Sequence, residues 1–166
     1  MSRLFVAIML SEEMKKSVTA SLHEMKQKGI GGSYCPTGNL HLTLAFLGDV
    51  KDQEQGQVKE ALQSVKYKPF RLTLDGLGCF GDILWLGVKG NQALNRAAAD
   101  IRSALDQAGI RYDTKKFTPH ITLIRKLSGN WKQLTPPKGE MMVKKISLMK
   151  SEQKNGRPVY TEVASW

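Results

Sequence analysis

Two histidines in this chain stand in the same short frame. In the stretches NLHLTLAFLG and FTPHITLIRKL, His41 and His120 are each followed by a threonine two positions later and a leucine three positions later. Residues two apart in a strand point to the same face. His41 and Thr43 should therefore project together, as should His120 and Thr122. The pattern predicts two strands, each with an apolar back and a polar front.

These residue types suit an in-line displacement at phosphorus. Such a reaction needs a base to deprotonate the attacking oxygen and an acid to protonate the leaving oxygen. Histidine titrates near neutral pH, so one ring can be neutral while the other is charged. The hydroxyls of Thr43 and Thr122 can donate hydrogen bonds to the phosphoryl oxygens. The residues alone leave open which histidine is the acid and which is the base.

The cysteines and the third histidine give no sign of a metal site or a cofactor. Cys35 and Cys79 form no CxxC pair and have no zinc-ligand spacing with a histidine, which is typical of reduced thiols. Two histidines without a cluster of carboxylates or thiols are a thin ligand set, which disfavours a metallohydrolase. His23 falls beside the apolar stripe of a predicted helix, so we expect it at the surface.

Size and charge narrow the class of protein. With 166 residues, the chain is expected to form one domain over residues 1–166. Its 25 lysines and arginines against 15 acidic residues give a formal charge of +10, which favours a polyanionic partner such as nucleic acid. The apolar run at residues 4–10 precedes SEEMKK, a helix start and not a signal-peptide cleavage site. We expect a cytoplasmic protein with no membrane association.

Hydrophobic periodicity predicts three helices and seven strands. Helices are predicted between Ser11 and Gly29, over about 52–65 and over about 91–108, and strands over 3–10, 40–47, 69–75, 83–88, 119–125, 141–149 and 157–165. Loops are predicted at 31–33, at LGCFGD as a hairpin connection, and at 131–139, with a turn at 154–156. Hairpins mixed with helices predict an α+β fold with an antiparallel or mixed sheet.

With its two motifs the chain resembles the 2H phosphoesterase family, and within it the bacterial and archaeal RNA 2′,3′-cyclic phosphodiesterases, also called 2′-5′ RNA ligases. RLFVAI at residues 3–8 and ILWLGV at residues 83–88 resemble the family's opening and central strands. The resemblance implies a bilobal α+β fold. Two pseudo-symmetric halves, with mostly antiparallel sheets flanked by helices, would each contribute one motif to a central cleft.

The resemblance also implies a reaction and a partner. The reaction is metal-free hydrolysis of a terminal 2′,3′-cyclic phosphate on RNA to a 2′-phosphomonoester, with reversible 2′-5′ ligation when a 5′-hydroxyl end replaces water. His41 would be the proton donor, His120 the proton acceptor, and Thr43 and Thr122 would hold the phosphate. The implied partners are RNA ends carrying the cyclic phosphate, tRNA fragments among them, and the implied enzyme is a monomer.

Two more substrate-binding residues follow from the family pattern. Arg125 is expected to contact phosphate or a base, and Phe46 to stack on the terminal base. Both lie five residues after their histidine, where strict alternation points them away from the cleft, so they reach it only if the strands twist or end there. Tyr34 stands where the family usually has tryptophan, which alters the cleft rim.

Other functions stay open on the sequence alone. One is a 2H phosphodiesterase acting on a small cyclic nucleotide or a 2′-5′ oligonucleotide. Another is a non-catalytic RNA-end-binding module that keeps the histidines as hydrogen-bond donors. Lys115, Lys116 and Lys126 flank the second motif and could steer an RNA backbone, although a solvated surface explains them equally well.

Overall fold

Nine strands and three helices form the protein, and the computed structural model describes all of its residues, 1–166. Their bounds are β1 Ser2–Met9, α1 Glu12–Gln27, β2 Gly31–Tyr34, β3 His41–Val50, α2 Gln55–Gln63, β4 Phe70–Phe80, β5 Ile83–Val88, α3 Gln92–Gln107, β6 His120–Ser128, β7 Glu140–Val143, β8 Ser147–Lys154 and β9 Arg157–Ser165. The predicted α+β class is confirmed. No helix is long and apolar enough to cross a membrane.

The strands form one open sheet in which every pairing is antiparallel. Their order is β7-β4-β5-β6-β3-β1-β8-β9. β3 and β6 meet in the middle through a single residue pair, Leu42 with Ile121. Apart from β2, which pairs with β6 outside this order, the seam divides the sheet into two halves of four strands, and each half has one histidine strand at its inner edge. The expected bilobal, antiparallel arrangement is therefore confirmed, and the mixed sheet is excluded.

Beyond the seam, the short strand β2 takes the place of β3 on the same edge of β6. Ile124 of β6 pairs with Tyr34 of β2 on one side and with Leu84 of β5 on the other. β3 and β6 therefore separate after their one pair, and β2 lines the widening gap between them. The two histidine strands are left side by side at the seam.

The back of the sheet is buried in one apolar core. A single cluster of 34 buried residues includes the helix stripes and the apolar backs of both histidine strands: Met14, Val18, Leu22, Met25, Leu94, Ala97, Ala98, Ile101, Leu105, Leu42, Leu44, Ile121 and Leu123. Ser11 caps α1 by accepting a hydrogen bond from the backbone N–H of Met14, as the sequence predicts. Because this burial fixes the apolar side of β3 and β6, their histidines must face the other way.

The predicted loop at residues 31–33 is wrong, because these residues belong to β2. Their glycines allow β2 to lie very close to β6. A Cβ at Gly32 would lie 2.6 Å from a side-chain carbon of Ile124 and 2.7 Å from the carbonyl oxygen of Arg125, and Gly32 has a φ of +135°. The glycines at 31 and 32, which are typical of a loop, here allow two strands to pack closely.

The predicted hairpin loop LGCFGD is also shorter in the structure. β4 continues to Phe80, and only Gly81 and Asp82 connect it to β5. Between Leu74 and Leu77, β4 contains a bulge in which Gly76 has a φ of +82°. The glycine absorbs the irregularity, so the strand resumes instead of ending.

The predicted strand 141–149 is two strands that belong to opposite halves of the sheet. β7 pairs with β4, and β8 pairs with β1, so residues 144–146 carry the chain from one half to the other. The predicted turn at 154–156 is confirmed, since Asn155 and Gly156 have φ values of +54° and +75°. The predicted helix 52–65 consists of a 3₁₀ turn, Asp52–Glu54, followed by α2.

Candidate active site

A one-residue bulge in β3 decides which side chains face the front of the sheet. Thr43 and Ala45 pair with neighbouring residues of β1, so Leu44 is the extra residue. A bulge shifts the alternation of the strand by one position. Leu44 and Ala45 are consequently both buried, and Phe46 lies on the same face as His41 and Thr43.

β6 contains a bulge at the same offset from its own histidine. Thr122 and Ile124 pair with neighbouring residues of β5, so Leu123 is extra. Leu123 and Ile124 are both buried, and Arg125 lies on the front face. The expectation that strict alternation points Phe46 and Arg125 away from the cleft is therefore wrong. The bulges, not a strand end, bring them to it.

All six residues predicted from the sequence line one cleft of about 490 Å³ over the seam: His41, Thr43, Phe46, His120, Thr122 and Arg125. Other lining residues were not predicted, and among them are Arg3, Phe5, Cys35, Asn39 and Tyr160. Tyr34 is also in the lining, and its hydroxyl donates to the carbonyl of Ile30 at 2.7 Å. Lys126 is exposed and lies outside the lining.

The backbone fixes both imidazoles in the same tautomer. Nδ1 of His41 lies 2.6 Å from the carbonyl oxygen of Asn39, and Nδ1 of His120 lies 2.6 Å from that of Thr118. A carbonyl oxygen only accepts hydrogen bonds, so each Nδ1 carries a proton. Nε2 is left available to a ligand in both rings, and in His41 it lies 3.0 Å from the hydroxyl of Thr43.

His41 is held in an apolar corner. Its ring centroid lies 4.9 Å from that of Phe5 and 5.3 Å from that of Tyr160. Burial lowers the pKa of His41, and the nearby charges of Arg125 and His120 lower it further, against the opposing effect of its bond to the backbone. In the unliganded protein His41 therefore takes up a proton less readily than a free imidazole.

His120 rests against two rings of its own half of the sheet, Phe80 of β4 and Trp85 of β5. Its centroid lies 5.4 Å from that of Phe80 and 6.1 Å from that of Trp85. Trp85 in turn packs closely against two glycines, since a Cβ at Gly78 would overlap its ring and one at Gly87 would come within 3.3 Å of it. Each histidine is thus backed by two aromatic side chains from other strands of its own half.

Asn39 ties the first motif to the last strand. Its side-chain amide is buried and donates to the carbonyl of Pro158 at 2.9 Å, while its own carbonyl accepts from His41. The asparagine therefore fixes the position of β9, which carries Tyr160, relative to the imidazole that Tyr160 contacts.

The cleft presents positive charge. Arg3 and Arg125 line it, neither makes an ion pair, and no aspartate or glutamate is in the lining. Burial raises the pKa of Cys35 to about 11, so at neutral pH this residue is a thiol and not a nucleophilic thiolate. No three His, Cys, Asp or Glu side chains come together in a way that could hold a metal ion. The cleft suits an anion that is attacked by an external oxygen.

Comparison with known proteins places the chain in a family. The sequence profile of the 2′-5′ RNA ligase superfamily matches residues 15–155, so the chain belongs to this superfamily, the 2H phosphoesterases that its motifs resemble. RNA 2′,3′-cyclic phosphodiesterases of Escherichia coli and Thermotoga maritima are 31% and 30% identical to it. The alignments cover 99% and 95% of this chain, and 95% and 91% of the relatives.

Solved structures agree with this assignment. Escherichia coli LigT complexed with 3′-AMP superposes with a TM-score of 0.84 at 30% identity, covering 99% of this chain and 96% of LigT. The PDE domain of MHV ns2 superposes with a TM-score of 0.67 over 90% of this chain and 99% of that domain. At 17% identity, the latter shows a shared fold only.

Proposed function

We propose that this protein is an RNA 2′,3′-cyclic phosphodiesterase, which opens a terminal cyclic phosphate to a 2′-phosphomonoester. One observation carries the proposal: two imidazoles with Nε2 available and two threonine hydroxyls line the same cationic cleft. The activity named for the relatives of Escherichia coli and Thermotoga maritima supports the choice of substrate. The proposed site of action is the cytoplasm, and the proposed functional unit is a monomer.

In the proposed mechanism, the anionic cyclic phosphate lies between the two histidines. The hydroxyls of Thr43 and Thr122 donate to its non-bridging oxygens, and Arg125 balances its charge. Nε2 of His120 accepts a proton from water as the new phosphorus–oxygen bond forms. The bond from phosphorus to the 3′ oxygen breaks, and Nε2 of His41 protonates that oxygen.

The assignment of His41 as the proton donor rests on the family resemblance, and the electrostatics of the bound state support it. Burial disfavours the protonated ring in the empty cleft. A phosphate anion beside the ring adds an opposite charge, which raises the pKa of His41. Substrate binding therefore favours the protonated form of His41 that the proposed proton donor requires.

Phe46 is the proposed stacking partner of the terminal base. It lines the cleft beside Thr43, and the guanidinium of Arg3 lies 5.2 Å from its ring centroid on one face. A base on the ring is worth about 1–3 kcal/mol whatever its identity, so such a site tolerates different RNA ends. The same cleft catalyses 2′-5′ ligation when a 5′-hydroxyl group replaces water as the attacking group.

The test is hydrolysis of a short RNA that ends in a 2′,3′-cyclic phosphate, measured after EDTA treatment. Wild type is compared with His41→Ala and His120→Ala, and His23→Ala is the matched control because His23 is an exposed histidine on α1. We expect a 2′-phosphate product, a loss of about 10²–10⁴-fold in both site variants, and no loss in the control.

Each other result points to a different function. Tight binding without turnover by the wild type supports an RNA-end-binding module instead. If the wild type neither binds nor hydrolyses this RNA but hydrolyses a small cyclic nucleotide, the protein is a phosphodiesterase for small nucleotides instead. Loss of wild-type turnover on EDTA treatment contradicts the metal-free mechanism.

A further inference from the structure

A second cavity opens on the His120 side of the cleft. It has a volume of about 400 Å³ and shares Thr43, Phe46 and His120 with the cleft. Its other walls include the end of β4 at Phe80, Arg102 of α3, and residues 113 and 115–118 of the segment 111–119 that leads into β6. The size falls within the range of about 300–1,000 Å³ typical of small-ligand pockets. We call this cavity the acceptor pocket.

The side chains of the acceptor pocket suit a nucleotide. Lys115 and Lys116 are exposed and make no ion pair, so both ammonium groups are free to bind phosphate. The single carboxylate in the lining, on Asp113, accepts a hydrogen bond from the backbone N–H of Lys115. Phe80 is 45% exposed although it is a large apolar residue, and this leaves a ring face on which a base can stack.

The walls of the acceptor pocket are held in place by hydrogen bonds. The backbone N–H of Asp113 donates to the carbonyl of Phe46 at 2.8 Å. Arg102 on α3 donates to the carbonyl of Lys115 at 2.7 Å. The segment 111–119 is thereby attached both to β3 and to α3, so the pocket exists before any ligand binds.

The direction of the reaction selects the occupant. In an in-line displacement, the attacking oxygen approaches phosphorus from the side opposite the leaving oxygen. His41 protonates the leaving oxygen, so the attacker approaches past His120, where the acceptor pocket lies. Water needs no pocket of this size, whereas the terminal nucleoside of an attacking strand does.

We propose that the acceptor pocket binds the 5′-hydroxyl end of a second RNA strand during 2′-5′ ligation, an inference that rests on the proposed function. The 5′ oxygen forms the new bond to phosphorus and gives its proton to His120. The bond to the 3′ oxygen breaks, and that oxygen takes a proton from His41. Phe80 stacks on the first base, and Lys115 and Lys116 bind the phosphate that follows it.

The experiment compares joining with hydrolysis for one cyclic-phosphate RNA. The double variant Lys115→Ala/Lys116→Ala is measured with and without a 5′-hydroxyl oligonucleotide, and cleavage of the 2′-5′-linked product is followed as the reverse reaction. Lys132→Ala/Lys138→Ala is the matched control, since both lysines are exposed, unpaired and outside both cavities. We expect the ratio of joining to hydrolysis to fall at least tenfold in the first variant only.

Other outcomes overturn the inference or its basis in distinguishable ways. An unchanged ratio, or an equal fall in the control, shows that the pocket does not bind the second strand. An equal loss of hydrolysis and joining shows that it binds the cyclic-phosphate strand instead. A wild type that hydrolyses RNA but neither joins nor cleaves a 2′-5′ linkage contradicts the inference alone. A wild type that does not hydrolyse RNA contradicts the proposed function itself.

Discussion

Burial and catalysis make opposite demands on the imidazole of His41. The rings of Phe5 and Tyr160 shield it from water, and this lowers its pKa. The proposed role as proton donor requires the protonated form. A bound phosphate meets this requirement because its charge stabilises the imidazolium in a cleft that contains no carboxylate.

This conflict leads to a prediction about the titration of His41. In the free protein we expect the ring to protonate only below the ordinary histidine pKa of about 6.5, since burial disfavours the charge. When 3′-AMP binds, the pKa should rise. Imidazole ¹⁵N chemical shifts measured against pH report both the charge and the tautomer. The signals that disappear in the His41→Asn variant are those of His41.

His23, on the exposed face of α1, is the internal control in the same spectra, and the ligand should leave its signals unchanged. The Nδ1–H tautomer should be seen for both His41 and His120 at high pH. A pKa of His41 that falls on ligand binding contradicts the proposed proton donor.

At the scale of elements, the two bulges determine the composition of the site. Each follows the threonine of its motif by one residue, at Leu44 in β3 and at Leu123 in β6. The sequence shows the His-x-Thr alternation and the apolar backs of the strands, and these predictions are confirmed. It does not show the bulges, because a leucine in a bulge looks the same as a leucine on the buried face.

The unpredicted lining residues have a similar explanation. Phe5 and Tyr160 lie at opposite ends of the chain, and β1 and β9 bring them to His41 only through the order of the sheet. Local periodicity carries no information about which strands become neighbours. The motifs could therefore be found from sequence, whereas the rings that support them required the topology.

Close packing of β4 on β5 gives a prediction for Gly78. Its replacement by alanine places a methyl group in the ring of Trp85, which contacts His120. We expect the free energy of unfolding to fall by about 1–3 kcal/mol, as is typical when a packed core is overfilled. The hydrolysis rate should also fall, because the ring that supports His120 is displaced. Thermal unfolding and kcat for the cyclic-phosphate RNA measure the two effects.

Gly90→Ala is the matched control, since a Cβ at Gly90 meets no atom within 4 Å. It should change stability by no more than about 0.5 kcal/mol. Normal stability and kcat in Gly78→Ala would show that the Trp85 ring shifts freely and does not position His120.

Arg102 joins α3 to two parts of the site. It donates to the carbonyl of the bulge residue Leu44 at 3.4 Å and to that of Lys115 at 2.7 Å. Its guanidinium lies 5.7 Å from the ring centroid of Tyr112 and 5.8 Å from that of Phe117. One side chain therefore holds both the β3 bulge and a wall of the acceptor pocket.

We expect Arg102→Lys to weaken substrate binding although the charge is kept. An ammonium group lacks the planar fork that reaches two carbonyls, and lost bonds of this kind cost about 1.5–3 kcal/mol. Because the bulge positions Phe46, KM for the cyclic-phosphate RNA should rise more than kcat falls. Arg96→Lys, an exposed arginine of the same helix, should leave both constants unchanged. Equal changes in the two variants would show that the two carbonyl contacts of Arg102 are not the cause of the effect.

At the scale of the whole molecule, the site lies where two antiparallel halves meet. Each half supplies one histidine, one threonine and the bulge that directly follows this threonine, and the two inner strands share a single residue pair. The buried core is continuous behind this seam, so the halves are held together from the back while the front stays open. This arrangement admits a chain end to the paired histidines from the front of the sheet.

The overall charge of +10 leads to the last prediction. If it attracts RNA, kcat/KM for a 12-nucleotide RNA should depend more steeply on salt than kcat/KM for a dinucleotide with the same cyclic end. Each phosphate contacted adds roughly −0.7 to the slope of log(kcat/KM) against log[salt]. A slope steeper by roughly 1.4 to 2.1 corresponds to two or three additional phosphate contacts. Arg3→Gln should reduce the slope by roughly 0.7 if Arg3 is one of these contacts. Equal slopes for the two substrates would confine RNA recognition to the terminal nucleotide, since the charge outside the cleft would then contribute nothing.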